Sequence, residues 1–177
     1  MIYYIADLHL HHKNILHLCQ RPFASIEQMH QTIKLNWNAV VSEQDDVYII
    51  GDVCFKFNEE VAEYLKSLNG RKHLLIGNHD KKFLKYEKFR EIFVSIDYYL
   101  TIEDENRKVV LFHYPILEWD GYFKGWYHVY GHIHNSDNFS NQLLNREEFA
   151  NAFNAGADLI DFTPQTLNQL ISRKKSG

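Results

Sequence analysis

The chain has 177 residues, 45% of them hydrophobic and 24% charged, a balance that suits a folded domain with a sizeable core and excludes a disordered or fibrous protein. With 19 Lys and Arg residues against 23 Asp and Glu residues, the formal net charge of -4 argues against an extended electrostatic grip on nucleic acid. Two cysteines are too few for a disulfide scaffold, and neither a signal peptide nor an apolar run of roughly 20 residues is visible. We therefore expect one domain over residues 1–177, located in the cytoplasm and without a membrane segment.

The first half of the sequence alternates short apolar runs with amphipathic segments. Three apolar runs predict buried strands, at 2–6, 46–50 and 73–76. Two helices are predicted between them, with Ser25 and Asn58 as their N-caps, and a third helix is expected over 81–90. Alternation of strand and helix predicts parallel strands joined by crossover helices.

The second half is predicted to consist mostly of strands. The expected strands lie at 93–102, 109–112, 126–130 and near 147–153. The charged segment 103–108 predicts a hairpin turn, and Thr163-Pro164 suits the N-cap and first residue of a final helix over 165–172. The two halves together predict an α/β sandwich of two mixed sheets with flanking helices.

Polar residues follow the C-terminal ends of five predicted strands. Ligand sites in open α/β sheets form beyond these ends, so the side chains converge if the strands are neighbours. The candidate metal ligands are Asp7, His9, Asp52, Asn78, His113, His132 and His134. Carboxylate, imidazole and amide groups suit manganese, iron, zinc, nickel or cobalt rather than calcium. The sequence therefore predicts a metal site at one edge of the sheets.

Three glycines lie between a predicted strand and one of these polar groups, at Gly51, Gly77 and Gly131. Glycine allows a sharp turn and a close approach of the backbone to an ion or a phosphate. Taken singly, Asp7 and Asp52 are explained equally well as turn formers or helix caps. The repeated arrangement favours the metal site over these separate explanations.

The motifs, taken in order, resemble the calcineurin-like metallophosphoesterase superfamily, and within it the compact bacterial and phage branch. They are Asp7-Leu8-His9, Gly51-Asp52, Gly77-Asn78-His79-Asp80, His113 and Gly131-His132-Ile133-His134. Other segments similar to that branch are 7–15, Arg21-Pro22-Phe23, Trp37-Asn38, His113-Tyr114-Pro115 and Asn154-Ala155-Gly156-Ala157-Asp158. The resemblance covers nearly the whole chain.

The resemblance implies a four-layer α/β/β/α sandwich and two divalent metal ions, with manganese expected first and iron, zinc, nickel or cobalt as alternatives. One ion would be held by Asp7, His9, Asp52 and His134, and the other by Asp52, Asn78, His113 and His132. Asp52 and a water or hydroxide would bridge the two ions. His79 would face the leaving group of the substrate, and Asp80 would orient the His79 ring.

We expect a dinuclear phosphoesterase that cleaves a phosphodiester or a small phosphomonoester by direct attack of the metal-bridging hydroxide. Protein Ser/Thr phosphatases carry an arginine after the Gly-Asp motif and a Glu at the end of the third motif. This chain has no arginine after Gly51-Asp52, and its third motif ends in Asp80, so phosphoprotein phosphatase activity is not expected. The alternatives are a nuclease on short single strands, for which the basic run 81–90 is the only support, and a non-catalytic metal-binding module. The sequence names neither the substrate nor the oligomeric state.

Several further residues have two interpretations. His12 and Arg21 are candidate contacts to a substrate phosphate, with a surface position or a structural ion pair as the alternative. His11 and His128 are expected to be structural, and Cys54 a small buried side chain. The aromatic loop 119–126 suits either the core, which we favour, or the wall of a pocket.

Overall fold

The computed structural model describes residues 1–136 and 138–176, which contain two four-stranded sheets. The first sheet, in spatial order, consists of β1 (Ile2–Ile5), β2 (Asp46–Ile50), β3 (Arg71–Leu75) and β4 (Ser95–Asp97). The second consists of β5 (Tyr99–Asp104), β6 (Arg107–Phe112), β7 (Tyr127–Tyr130) and β8 (Ala152–Asn154). All three strand pairs of the first sheet are parallel, while the second sheet combines the antiparallel β5–β6 hairpin with two parallel pairs. The predicted α/β architecture is confirmed.

Six α-helices accompany the sheets among the described residues. They are α1 (Ile15–Leu18), α2 (Ile26–Val40), α3 (Glu59–Lys66), α4 (Glu87–Arg90), α5 (Phe139–Leu144) and α6 (Leu167–Ser176). Two of the three predicted N-caps are confirmed, because the Ser25 side chain accepts from the Gln28 N–H and the Asn58 side chain from the Val61 N–H. Among the described helices, none is long and apolar enough to span a lipid bilayer.

The two sheets and the longer helices share one core, and the second sheet is also covered on its outer face. Successive residues of a strand point to opposite faces, so Val109 and Leu111 enter the main core with α2 and α3 while Val110 points outward. Val110 packs there against Trp119 from the aromatic loop and Leu144 from α5. This short outer cover completes the four layers.

The predicted strand over 93–102 is wrong as a single element, because the chain changes sheets within it. Residues 95–97 pair with β3 in the first sheet, whereas residues 99–104 pair with β6 in the second. An apolar run looks the same whether it stays in one sheet or crosses between two, so hydrophobic periodicity does not mark the break.

Three other predicted elements differ from their expected bounds. The helix over 81–90 is a 3-10 turn at Lys81–Phe83 followed by α4, separated at Tyr86 by an extended backbone. The strand near 147–153 is reduced to β8, which follows a 3-10 turn at Glu147–Phe149. The final helix begins at Leu167, because Gln165 is held in an antiparallel bridge beside Tyr4 of β1.

Candidate metal centre

The structure brings the predicted metal ligands together at the C-terminal ends of both sheets. Six of them, together with His79, form three overlapping groups, each with all ligand atoms within 4.8 Å of one another. The groups are Asp7, His9 and His134; His9, Asp52 and His79; and Asp52, His113 and His132. Asn78 joins the third group, since its Oδ1 lies 3.1 Å from His113 Nε2.

Asp52 lies between the two halves of this cluster. Its Oδ2 atom is 3.7 Å from His9 Nε2 on one side and 3.6 Å from His113 Nε2 on the other. Its Oδ1 atom accepts a hydrogen bond from the backbone N–H of His79 at 2.9 Å, which fixes the carboxylate plane. Asp52 therefore lies between the two ligand sets.

Hydrogen bonds at Nδ1 orient two histidine rings of the cluster. His113 Nδ1–H donates to the Ile50 carbonyl and His134 Nδ1–H donates to Asp158 Oδ2, so both rings turn their Nε2 atom inward. These inward atoms lie 3.1 Å from Asn78 Oδ1 and 3.3 Å from His9 Nε2, respectively. A cation bound to these atoms would require each ring in its neutral form.

The burial of Asp7 and His9 also favours a bound cation. Asp7 Oδ1 and His9 Nδ1 are buried and have no hydrogen-bond partner among the described residues. Burial raises the pKa of Asp7 to about 7 and lowers the pKa of His9, because a charged group loses its hydration there. A divalent cation stabilises an ionised Asp7 and accepts neutral imidazole, so these residues fit metal ions of the predicted kind.

Five of the seven predicted ligands have a left-handed backbone, an arrangement that non-glycine residues rarely adopt. The φ angles are 57° at Asp7, 50° at His9, 56° at Asp52, 72° at His132 and 47° at His134. Such residues each cost on the order of 1 kcal/mol or more and persist only where neighbouring contacts impose them. Part of that constraint is the hydrogen bond from the His132 N–H to Asp7 Oδ2 at 2.8 Å. Clustered strain of this kind is typical of a functional site.

Gly77 and Gly131 are points of close backbone approach to ligand carboxylates, while the predicted approach to an ion or a phosphate stays a prediction. A Cβ atom at Gly77 would lie 2.3 Å from Asp52 Oδ1, and one at Gly131 would lie 2.6 Å from Asp7 Oδ2. Both separations are shorter than any real contact. In both places a side chain would displace the carboxylate of a candidate ligand, so only glycine fits.

Arg21 does not have the predicted position at a substrate phosphate. Its side chain is buried, donates to the carbonyls of Asp7 at 2.7 Å and Leu8 at 3.0 Å, and forms an ion pair with Asp158 at 2.5 Å. The alternative, a structural ion pair, is the correct one. A buried guanidinium that is already paired has no free donor surface for a phosphate.

Sequence reasoning missed Asp158 as a site residue. Its carboxylate links Arg21 to the ring of His134, with 2.7 Å between Asp158 Oδ2 and His134 Nδ1. Burial by itself lowers the pKa of His134, but hydrogen bonds to Asp158 and Cys19 outweigh it and raise that pKa to about 10. The available signal was the segment ending in Asp158, which is similar to the superfamily branch but carried no assigned role.

Asp80 also has a different position from the one predicted. Its buried carboxylate accepts backbone N–H groups from Gly77 at 2.9 Å, Asp52 at 2.8 Å and Val53 at 2.9 Å. Burial raises the pKa of Asp80 to about 6, although these hydrogen bonds favour its charged form. Asp80 therefore ties two ligand-bearing loops together, and its oxygens are not directed at the His79 ring.

His79 and His12 lie on the open side of the cluster. The His79 side chain is 31% exposed, and its Nε2 atom is 3.9 Å from Asp52 Oδ2. The His12 ring stacks on Phe55 with centroids 4.2 Å apart and lies 5.4 Å from the His9 ring. Burial lowers the pKa of His12, whose Nδ1 atom has no partner among the described residues.

The residues expected to be structural lie outside the cluster. The His11 N–H donates to His30, and both ring nitrogens of the buried His128 are engaged by backbone groups of Val110 and Ile116. Cys54 is fully buried. Trp119 anchors the aromatic loop in a core cluster, as favoured from the sequence.

Comparison with known proteins gives one relative of nearly the same length. The uncharacterized protein MJ1445 of Methanocaldococcus jannaschii is 33% identical over 178 residues, which cover 99% of this chain and 92% of that protein. No family model matches the chain.

Solved structures give a similar picture. The protein of unknown function AQ665 from Aquifex aeolicus has a TM-score of 0.73 and 29% identity, covering 93% of this chain and 94% of that one. A structure described as a novel archaeal phosphodiesterase has a TM-score of 0.46 and 21% identity, covering 76% of this chain and 73% of that one. This chain therefore belongs to the same family as MJ1445 and shares its fold with AQ665.

Proposed function

We propose that the protein is a phosphoesterase that holds two divalent metal ions, with manganese as the first candidate, and hydrolyses a phosphodiester or a small phosphomonoester. The observation that carries the proposal is the position of Asp52 Oδ2, within 3.7 Å of ligand nitrogens from both halves of the cluster. Asp7, His9 and His134 complete one half, and Asn78, His113 and His132 complete the other.

Two such ions, when bound, polarise a phosphoryl group and lower the pKa of a water that attacks phosphorus. The protein side chains hold the ions in position and supply the proton that the leaving group needs. Asp52 lies between the two ligand sets, and its carboxylate neutralises part of the positive charge of the ions. His79 reaches the open side and is the candidate donor of a proton to the departing oxygen. His12 stands beside it and is the candidate contact to a phosphoryl oxygen.

Hydrolysis of bis-p-nitrophenyl phosphate and p-nitrophenyl phosphate with Mn²⁺ tests the proposal. We expect elemental analysis to find about two ions per chain, as a two-metal site requires. His79→Ala should bind metal and lower kcat by roughly 100- to 10,000-fold, the usual range for a lost general acid. Asp52→Asn should lose both metal and activity.

Matched controls are His17→Ala, an exposed histidine, and Asp161→Asn, a carboxylate that is 80% exposed. Both should retain metal and activity. Full activity in both His79→Ala and Asp52→Asn contradicts the proposal. Tight metal binding without turnover of either ester favours a non-catalytic module instead.

A further inference from the structure

Three aromatic rings that the metal centre does not use run outward from it. The ring of Tyr114 packs edge-on against His132 at 4.6 Å between centroids, Phe112 follows at 5.4 Å from Tyr114, and Tyr99 at 6.1 Å from Phe112. We call Tyr99, Phe112 and Tyr114 the aromatic strip. Its inner end touches a metal ligand, so a molecule bound at the metal centre is within reach of it.

The strip results from strand register rather than from core packing. Tyr99 and Phe112 are directly opposite in the β5–β6 hairpin, so both side chains lie on the same face. Tyr99 is 43% exposed, and Phe112 and Tyr114 are half-buried. Neither core cluster of the described residues includes any of the three. The rings therefore present aromatic surface to solvent beside the site.

A basic side chain lies at the same edge of the sheets. Lys81 Nζ is 5.9 Å from the centroid of the Tyr98 ring, which is 54% exposed and joins β4 to β5. Lys81 also follows Asp80, whose carboxylate is bonded to the loops that carry the metal ligands. Lys81 therefore lies close to the chain segment that leads into Tyr99 of the strip.

We propose that the aromatic strip stacks an unpaired nucleobase of a phosphodiester whose phosphate occupies the metal centre. The inference rests on the proposed function and names its substrate class: a dinucleotide or a short single strand. A nucleotide carries both an anionic phosphate ester, which suits the metal centre, and a flat ring, which suits the aromatic strip. Stacking on aromatic rings accepts every base, so the strip selects for a base and not for a sequence. The net charge of -4 agrees with a short ligand.

The first experiment compares two substrates in the presence of Mn²⁺. One is a dinucleoside monophosphate, and the other is the same molecule with hydrogen in place of one base. Stacking on aromatic side chains changes affinity by roughly tenfold per base, so the wild type should prefer the base-bearing substrate in kcat/KM by about that factor. Tyr99→Leu and Phe112→Leu should remove most of the preference, since leucine is apolar but not flat.

Phe123→Leu is the matched control, because Phe123 is an aromatic residue that is 85% exposed, lies in the 3-10 turn Tyr122–Lys124 and packs against Tyr122. It should leave the preference unchanged. A second measurement does not depend on turnover. A dinucleotide carrying 2-aminopurine, titrated with protein in EDTA, should lose fluorescence when its base stacks, and Tyr99→Leu should weaken that quenching about tenfold.

The outcomes separate this inference from the proposed function. If the wild type hydrolyses both substrates equally and Tyr99→Leu changes neither their ratio nor the quenching, only the stacking inference is wrong. If the wild type hydrolyses neither substrate but cleaves a p-nitrophenyl ester with Mn²⁺, only the stacking inference is wrong. If it cleaves none of these esters while binding Mn²⁺, both proposals are wrong. A preference that Phe123→Leu abolishes as fully as Tyr99→Leu also overturns the assignment to the strip.

Discussion

The metal centre depends on buried charged residues that cannot themselves contact a substrate. Arg21 and Asp158 are both almost fully buried, and together they hold the Asp7 backbone and the His134 ring. Such carboxylate–histidine contacts orient a metal ligand and fix its tautomer. At this scale, the most sensitive position outside the ligand set is Asp158.

Asp158→Asn should lower the affinity for Mn²⁺ by about 10- to 100-fold, because the neutral amide supports the imidazole less well. It should also lower stability, since Arg21 would remain buried without its counter-charge. Isothermal titration at a temperature where circular dichroism shows both proteins folded measures the first effect.

Asp161→Asn serves as the control, because Asp161 pairs with Arg173 at the surface and is 80% exposed. A surface pair contributes little, so neither metal affinity nor stability should change appreciably. Equal Mn²⁺ affinity in the wild type and Asp158→Asn would show that the carboxylate does not support His134.

At the scale of the elements, a helix begins only after the last residue that is held by contacts to other parts of the chain. Thr163 was the predicted cap of the last helix, but its side chain bonds the Asp161 carbonyl, and Gln165 is held beside β1. The helix is capped three residues later, where the Thr166 N–H donates to Gln169 and the Gln169 N–H donates to the Thr166 hydroxyl. Pairing with a distant strand thus shifts the start of a local element.

Thr166→Ala should lower the free energy of unfolding by about 1 kcal/mol, because it removes one half of the capping box. Thr163→Ala should cost clearly less, since it loses only a local turn contact. Urea unfolding of both variants and the wild type measures the difference. The reverse order would restore the helix start predicted from the sequence.

For the whole molecule, acid sensitivity is expected from histidines that fold in a neutral state. Burial lowers the pKa of His128 to about 4 and also that of His30 to about 4. A backbone N–H donates to Nε2 of each ring, so a proton there would face another proton. Because the unfolded chain takes up protons near pH 6.5 and the folded chain does not, stability is lost as the pH falls from 6.5 toward 4.

The fully buried His128 should destabilise the fold by roughly 2 kcal/mol at pH 5 relative to pH 7, and the more exposed His30 should do so by less. Urea unfolding in EDTA at the two pH values measures the loss, and His128→Gln should reduce it by about that amount. Val129→Ala removes buried volume from the same strand without a titrating group, so it should lower stability equally at both pH values. An unchanged loss in His128→Gln contradicts the prediction.

The sequence by itself determined the chemistry-bearing residues, most strands and two helix caps, because these depend on residue type and on spacing within a few positions. It did not place Arg21, Asp80 or Asp158, and it did not mark the change of sheet at Tyr98. Those features depend on contacts such as that between His132 and Asp7, 125 residues apart in the chain. Local periodicity carries no information about such contacts, so only the tertiary structure decided which polar groups hold the site together and which remain free for a substrate.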